Sequence, residues 1–127
     1  MSAPKRILYA DDDEESCLMM TALLGKELGY EVVTAQAAAT ALEQAVLNQY
    51  DLLVIDNHFP DGAGVDVCKQ VRSLGISTPV ILYSGTSIEG DLERGLEAGA
   101  QAYVLKPYID ELLRSIETLL LNPESST

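Results

Sequence analysis

Two rhythms of apolar residues alternate along this chain. Short continuous runs occur at Arg6-Ile7-Leu8-Tyr9-Ala10, Glu31-Val32-Val33-Thr34-Ala35, Leu52-Leu53-Val54-Ile55, Val80-Ile81-Leu82-Tyr83 and Ala102-Tyr103-Val104-Leu105. Runs of this length suit strands, and unbroken apolarity suits strands covered on both faces. Between the runs, residues recur every three or four positions, as on one face of a helix. The first such set is Cys17, Thr21, Leu24 and Leu28, and the second is Ala38, Ala41, Leu42 and Ala45. Val67, Cys68, Val71 and Leu74 form the third, and Ile88, Leu92 and Leu96 the fourth. The last and most strongly periodic is Ile109, Leu112, Leu113, Ile116, Leu119 and Leu120. Gly29 and Gly75 end the first and third helices, and Gly99-Ala100 turns into the last strand. The fourth helix is the weakest, because Gly90 and Gly95 fall within it and each costs roughly 1 kcal/mol relative to Ala.

Five strands alternating with five helices call for an α/β fold: a doubly wound parallel sheet with helices on both faces and right-handed crossovers. A chain of 127 residues with 47% hydrophobic content has enough material for one core. The pattern bounds a single domain at 5–121, with 122–127 as a frayed tail. No apolar run approaches a membrane span, and Met1 to Arg6 lacks a signal-peptide core, so a cytoplasmic location is expected. Cys17 and Cys68 lie within helical patterns and read as reduced core thiols. Twenty acidic against eight basic residues give a formal charge of −12, which opposes direct binding to nucleic acid or to anionic membranes.

Ligand sites on parallel sheets lie beyond the carboxyl ends of the strands. In this sequence Asp11 and Asp12 follow the first strand, Asp56 the third, Ser84 the fourth and Lys106 the fifth. Taken alone, Asp56 could accept a phosphoryl group, ligate a metal or cap the turn that Pro60-Asp61-Gly62 enforces. The convergence narrows these options. Carboxylates ~5 Å apart repel by about 3 kcal/mol per pair at an effective dielectric of ~20, so a cation is expected among them. An oxygen-only donor set with no clustered His or Cys favours a hard ion such as Mg²⁺. Lys106 offers a point charge and Ser84 a hydroxyl, and both suit the oxygens of a phosphoryl group carried by Asp56.

At these residues the chain resembles the receiver domain of two-component response regulators, from about Lys5 to Leu121. The family's acidic pair is matched by Asp11-Asp12, and its phosphoacceptor with Pro four and Gly eight residues later by Asp56, Pro60 and Gly64. Its hydroxyl residue is matched by Ser84, and its terminal signature by Gly99-Ala100-Gln101-Ala102-Tyr103-Val104-Leu105-Lys106-Pro107. The resemblance implies a flavodoxin-like sheet of order 2-1-3-4-5 and phosphotransfer from a histidine kinase or phosphotransfer protein. It implies Mg²⁺ held by Asp12, Asp56 and the backbone carbonyl of His58, with Asp11 reaching it directly or through water. It also implies a cis Lys106-Pro107 bond, and a switch in which Ser84 and Tyr103 report phosphorylation to the surface of helix four, strand five and helix five, where a downstream protein or output domain would bind. Asn57, Phe59, Ser84, Gly85 and Tyr108 depart from the commonest residues of the pattern.

Blander roles stand beside these. Asp13, Glu14 and Glu15 suit a helix start, where the macrodipole favours acids, and stay outside the site. His58 has a carbonyl and a ring to offer, and Tyr103 is by default a core residue. A regulatory phosphoacceptor rather than an enzyme is the expected function. An aspartyl-phosphate phosphatase on a related sheet would need a second Asp two residues beyond the first, where His58 stands. A phosphorylation-independent binding module would have lost a site residue, and none is missing.

Overall fold

The computed structural model describes residues 3–85 and 90–121. The chain runs β1 (Arg6–Ala10), α1 (Glu14–Met20), β2 (Glu31–Ala35), α2 (Ala38–Leu47), β3 (Leu52–Ile55), α3 (Gly64–Ser73), β4 (Val80–Ser84), α4 (Asp91–Glu97), β5 (Ala102–Leu105) and α5 (Ile109–Leu121). All neighbouring strands are parallel, in the order β2-β1-β3-β4-β5. Every residue of β3 and β4 is buried, which explains why those two runs carry no polar alternation. The expected sheet order and cis Lys106-Pro107 bond are both present. Ile88 and the tail from Asn122 to Thr127 lie outside the described residues.

Successive strand residues face opposite ways, so the sheet divides the core into two layers. Leu8, Ala10, Leu53, Ile55 and Leu82 pack with Ala38, Ala41 and Ala45 of α2 and with Val67, Cys68 and Val71 of α3. On the other side, Ile7, Tyr9, Leu52, Val54, Ile81, Tyr83 and Val104 meet Cys17, Met20 and Leu24 of the first helix and Leu112, Ile116 and Leu120 of α5. Small residues on α2 let that helix sit close to the sheet, whereas α5 fills its side with long aliphatics. Both cysteines are free and buried in these layers. No helix among the described residues is long and apolar enough to cross a membrane.

Two local expectations are corrected. Beyond Met20 the first helix continues as a π-helical segment, Thr21–Glu27, in which the N–H of Leu28 reaches back to the carbonyl of Leu23 at 3.2 Å. The wider turn rotates the later residues off the expected stripe. Leu28 is therefore 48% exposed, Met20 takes a core place, and the Thr21 hydroxyl donates to the Cys17 carbonyl at 2.7 Å. Gly90 is not inside α4 but precedes it, with φ of +90°, a conformation that glycine adopts without strain. Gly95 does lie inside α4, and its missing side chain has a use. A Cβ there would come within 2.9 Å of Leu82 Cδ1 and 3.2 Å of Tyr103 Cδ2, so the glycine lets α4 approach the sheet.

Gly64, the first residue of α3, is under a harder constraint. A Cβ at this position would lie 2.2 Å from the Asp56 carbonyl oxygen, and backbone cannot move aside as a flexible side chain can. Gly64→Ala is expected to destabilise the protein by about 3 kcal/mol, the upper end for forced overpacking. Urea unfolding measures this directly, and an unchanged midpoint would show that α3 is not pressed against Asp56.

Candidate functional site

The sheet's own hydrogen bonding carries the site residues past the strand ends. The N–H of Asp11 donates to the Ala35 carbonyl at 2.9 Å, that of Asp56 to the Ala10 carbonyl at 2.8 Å, and that of Lys106 to the Ser84 carbonyl at 2.8 Å. Each backbone is thus fixed by the neighbouring strand, and the side chains beyond converge. Lys106 Nζ lies 2.5 Å from Asp11 Oδ2 and 3.3 Å from Asp56 Oδ2, and 5.6 Å above the ring of Tyr83. Asp11, Asp12 and Asp56 each present an oxygen within 4.8 Å of the others. Asp11 and Asp56 are buried while Asp12 is exposed, so the cluster opens to solvent on the Asp12 side. Hard oxygen donors with one exposed member fit a small divalent cation that retains water.

Burial raises the pKa of Asp56, with the charge of Asp11 adding to it, while Lys106 and the His58 N–H, 3.2 Å from Asp56 Oδ1, oppose the rise. Burial would lower the pKa of Lys106, but its bond to Asp11 and the charges of Asp56 and Asp11 leave it raised. The ammonium therefore stays charged, and burial makes Asp56 harder to ionise in the folded protein than an exposed carboxyl.

A short closed loop presents Asp56. Phe59, buried in the α2 and α3 layer, exchanges backbone hydrogen bonds with Gly62 across the Pro60-Asp61 turn, at 2.9 and 3.3 Å. Both adjoining helices begin at alanines, Ala37 and Ala63, which have no oxygen to cap them. The loop supplies the missing acceptors. Asp61 accepts from the N–H groups of Ala38 and Ala39 at 2.8 and 3.0 Å, which holds its carboxyl below the usual range. Asn57 Oδ1 accepts from the Val65 N–H at 3.0 Å, and its carbonyl from the Gly64 N–H at 3.1 Å. Asn57 and Asp61 were not singled out by sequence as positioning residues. The available signal was an alanine at each N-cap beside a polar loop.

Of the residues expected in the site, Asp11, Asp12, Asp56 and Lys106 form the cluster, and His58 adjoins it through its N–H. Ser84 is fully buried at the end of β4 and holds Lys106 by its carbonyl. Tyr103 stands apart on β5, half-buried against Gly95 of α4 and the α2 and α3 layer.

This fold and site define a class. The sequence matches the family model for the response regulator receiver domain over residues 7–117. The chain belongs to that family. Among its relatives are the alkaline phosphatase synthesis transcriptional regulatory protein PhoP of Bacillus subtilis, 36% identical over 82% of this chain and 43% of that protein. The transcriptional regulatory protein PrrA of Mycobacterium tuberculosis is 37% identical over 91% of this chain and 49% of its own length. The chain therefore spans about half the length of the curated relatives it matches. Among solved structures, the receiver domain of the Francisella response regulator 1452 superposes with a TM-score of 0.87 at 31% identity, covering 94% of this chain and 98% of that one. The response regulator TrrA of Thermotoga maritima, in complex with Mg(2+)-BeF, gives a TM-score of 0.82 at 32% identity over 91% of this chain and 99% of its own.

Two outcomes test the geometry. Asp56→Asn is expected to stabilise the metal-free protein at pH 7 by about 1–2 kcal/mol, a discount from the raw pair repulsion because Lys106 lies between the carboxylates. A carboxyl whose pKa rises on folding binds its proton more tightly in the native state. The parent should therefore gain on the variant as pH falls through that raised value, and urea melts from pH 7 to pH 3 should show the gap closing. A gap that widened at low pH would mean that Asp56 is stabilised as the anion. Separately, Asn57→Ala is expected to cost about 1 kcal/mol as the loss of a cap, and Ala63→Asp in that background should restore most of it by capping α3 locally. Failure of the second change to restore stability would show that Asn57 acts on something other than the helix start.

Proposed function

We propose that this chain is the phosphoacceptor switch of a two-component system, taking a phosphoryl group onto Asp56 from the phosphohistidine of a kinase or phosphotransfer protein in the cytoplasm. The observation that carries this reading is Asp56 held at a strand end with Lys106 3.3 Å away and two further carboxylates around it. Asp12, Asp56 and the His58 carbonyl would hold Mg²⁺, with Asp11 bonded to it directly or through water; the ion would screen the carboxylates and the incoming phosphoryl oxygens. A carboxylate oxygen of Asp56 attacks phosphorus in line. The O–P bond forms as the N–P bond to the donor breaks, and that electron pair returns to the imidazole. Lys106 neutralises charge on the phosphoryl oxygens, and the Ser84 hydroxyl donates to one of them. That hydrogen bond would draw Ser84 inward, and with Tyr103 beside α4 the change would be read at the α4, β5 and α5 surface by a protein partner or output domain. The bound Mg(2+)-BeF in the TrrA structure and the regulatory names of the relatives support the same reading.

Incubation with a small acyl phosphate and Mg²⁺ is expected to add one phosphoryl group by intact mass, with none added in chelator and uptake at least 100-fold slower in Asp56→Asn. Backbone amide signals from Ser84 to Tyr108 should move more on phosphorylation than those from Glu31 to Asn48. Equal uptake by Asp56→Asn would refute the acceptor assignment, and equal perturbation of both regions would refute the signalling surface.

A further inference from the structure

We propose that Tyr9 is a positioning residue of this site: its hydroxyl holds Asp11 so that Asp11 shares Lys106 with Asp56 instead of sequestering it. Tyr9 and Asp11 are two residues apart at the end of β1 and so face the same side of the sheet. The phenol is 2% exposed and donates to Asp11 Oδ2 at 2.9 Å. Burial, with the Asp11 charge beside it, pushes its pKa far up, so it remains a neutral donor.

Asp11 is itself 1% exposed, and protein donors occupy both of its carboxylate oxygens. Oδ1 accepts the N–H of Asp13 at 3.0 Å, while Oδ2 takes both the Tyr9 hydroxyl and Lys106 Nζ. The Cys17 thiol donates to the Asp11 backbone carbonyl at 3.3 Å, fixing the main chain as well. Two donors on one oxygen share its charge, so the phenol weakens the hold of Asp11 on the ammonium. That matters because Lys106 stands 2.5 Å from Asp11 and 3.3 Å from Asp56, and must favour the Asp56 side once phosphate arrives. The same donors hold the Asp11 carboxylate in place, so that it meets a cation held by Asp12 and Asp56 through water rather than directly. This role of Tyr9 rests on Asp56 being the phosphoacceptor.

Tyr9→Phe removes the hydroxyl and keeps the ring. Without it the charge of Oδ2 falls on Lys106 alone, while Oδ1, on a carboxyl with one restraint fewer, can approach the cation more closely, so rate and Kd should both fall. Phosphorylation by a small acyl phosphate at saturating Mg²⁺ should slow about fivefold, the size expected for one hydrogen bond, and the Kd for Mg²⁺, read from the amide signals of Asp12 and Asp56, should fall about threefold. Tyr9→Met, which keeps an apolar filler without ring or hydroxyl, should reproduce both changes. In an Asp11→Asn background the effect of Tyr9→Phe on each quantity should largely vanish, because the coupling runs through that carboxylate. A loss of rate and of Mg²⁺ affinity together would indicate simple structural damage and overturn the proposal. So would an unchanged Kd, or an effect of equal size in the Asp11→Asn background. A parent protein that takes up no phosphate would refute the phosphoacceptor reading, and the Mg²⁺ affinities would still decide the role of Tyr9.

Discussion

One ammonium holds this site together. Asp11 and Asp56 are buried next to each other, Asp12 adds a third carboxylate, and the charged group shown in contact with the first two is Lys106 Nζ. A buried pair of like charges survives folding only with a counter-charge near both. The lysine follows β5, 95 residues from Asp11 in sequence, and β3 and β4 lie between their strands, so the ion pair depends on β1, β3, β4 and β5 being joined in one sheet. The acidic site thus depends on the completed fold, and its residual repulsion is what a divalent cation would relieve.

The fold was legible because each level of the sequence agrees with the next. Continuous apolar runs fixed the strands, three-four spacing fixed the helices, and their alternation dictated a parallel sheet covered on both faces. The alternation did not dictate the strand order. That came from the likeness of Asp11-Asp12, Asp56, Ser84 and Lys106-Pro107 to a known family, and the sheet bears it out. The carboxylates and the lysine were visible for a related reason. They are charged residues directly after apolar runs, and such sheets place those positions at one edge.

What sequence missed depends on contacts between segments that no periodicity encodes. A π-helical stretch is a change of hydrogen-bond register, and the residues from Thr21 to Glu27 read as ordinary helix. Asn57 and Asp61 cap helices to which they do not belong, across 8 and 22 to 23 residues of chain, so neither fits a local capping pattern. Tyr9 lies in an apolar run and reads as core, which it is; only its hydroxyl, aimed at Asp11, ties that core to the site. In each case a side chain has two duties, and the sequence displays the commoner one.

The way Ser84 is held bears on how events at Asp56 could travel. Its side chain is fully buried, while its carbonyl accepts the N–H of Lys106 and its strand neighbour is Leu105. The hydroxyl residue and the lysine are therefore parts of one hydrogen-bonded ladder and cannot be displaced independently. Tyr103 lies on β5, three residues before Lys106, and packs where Gly95 brings α4 close. Ser84 and β5 are thus joined through backbone, and a side chain at position 95 would have no room beside Tyr103, so β4, β5 and α4 are closely packed at this point. The strand that leads to the counter-charge of Asp56 is also the one that packs against α4.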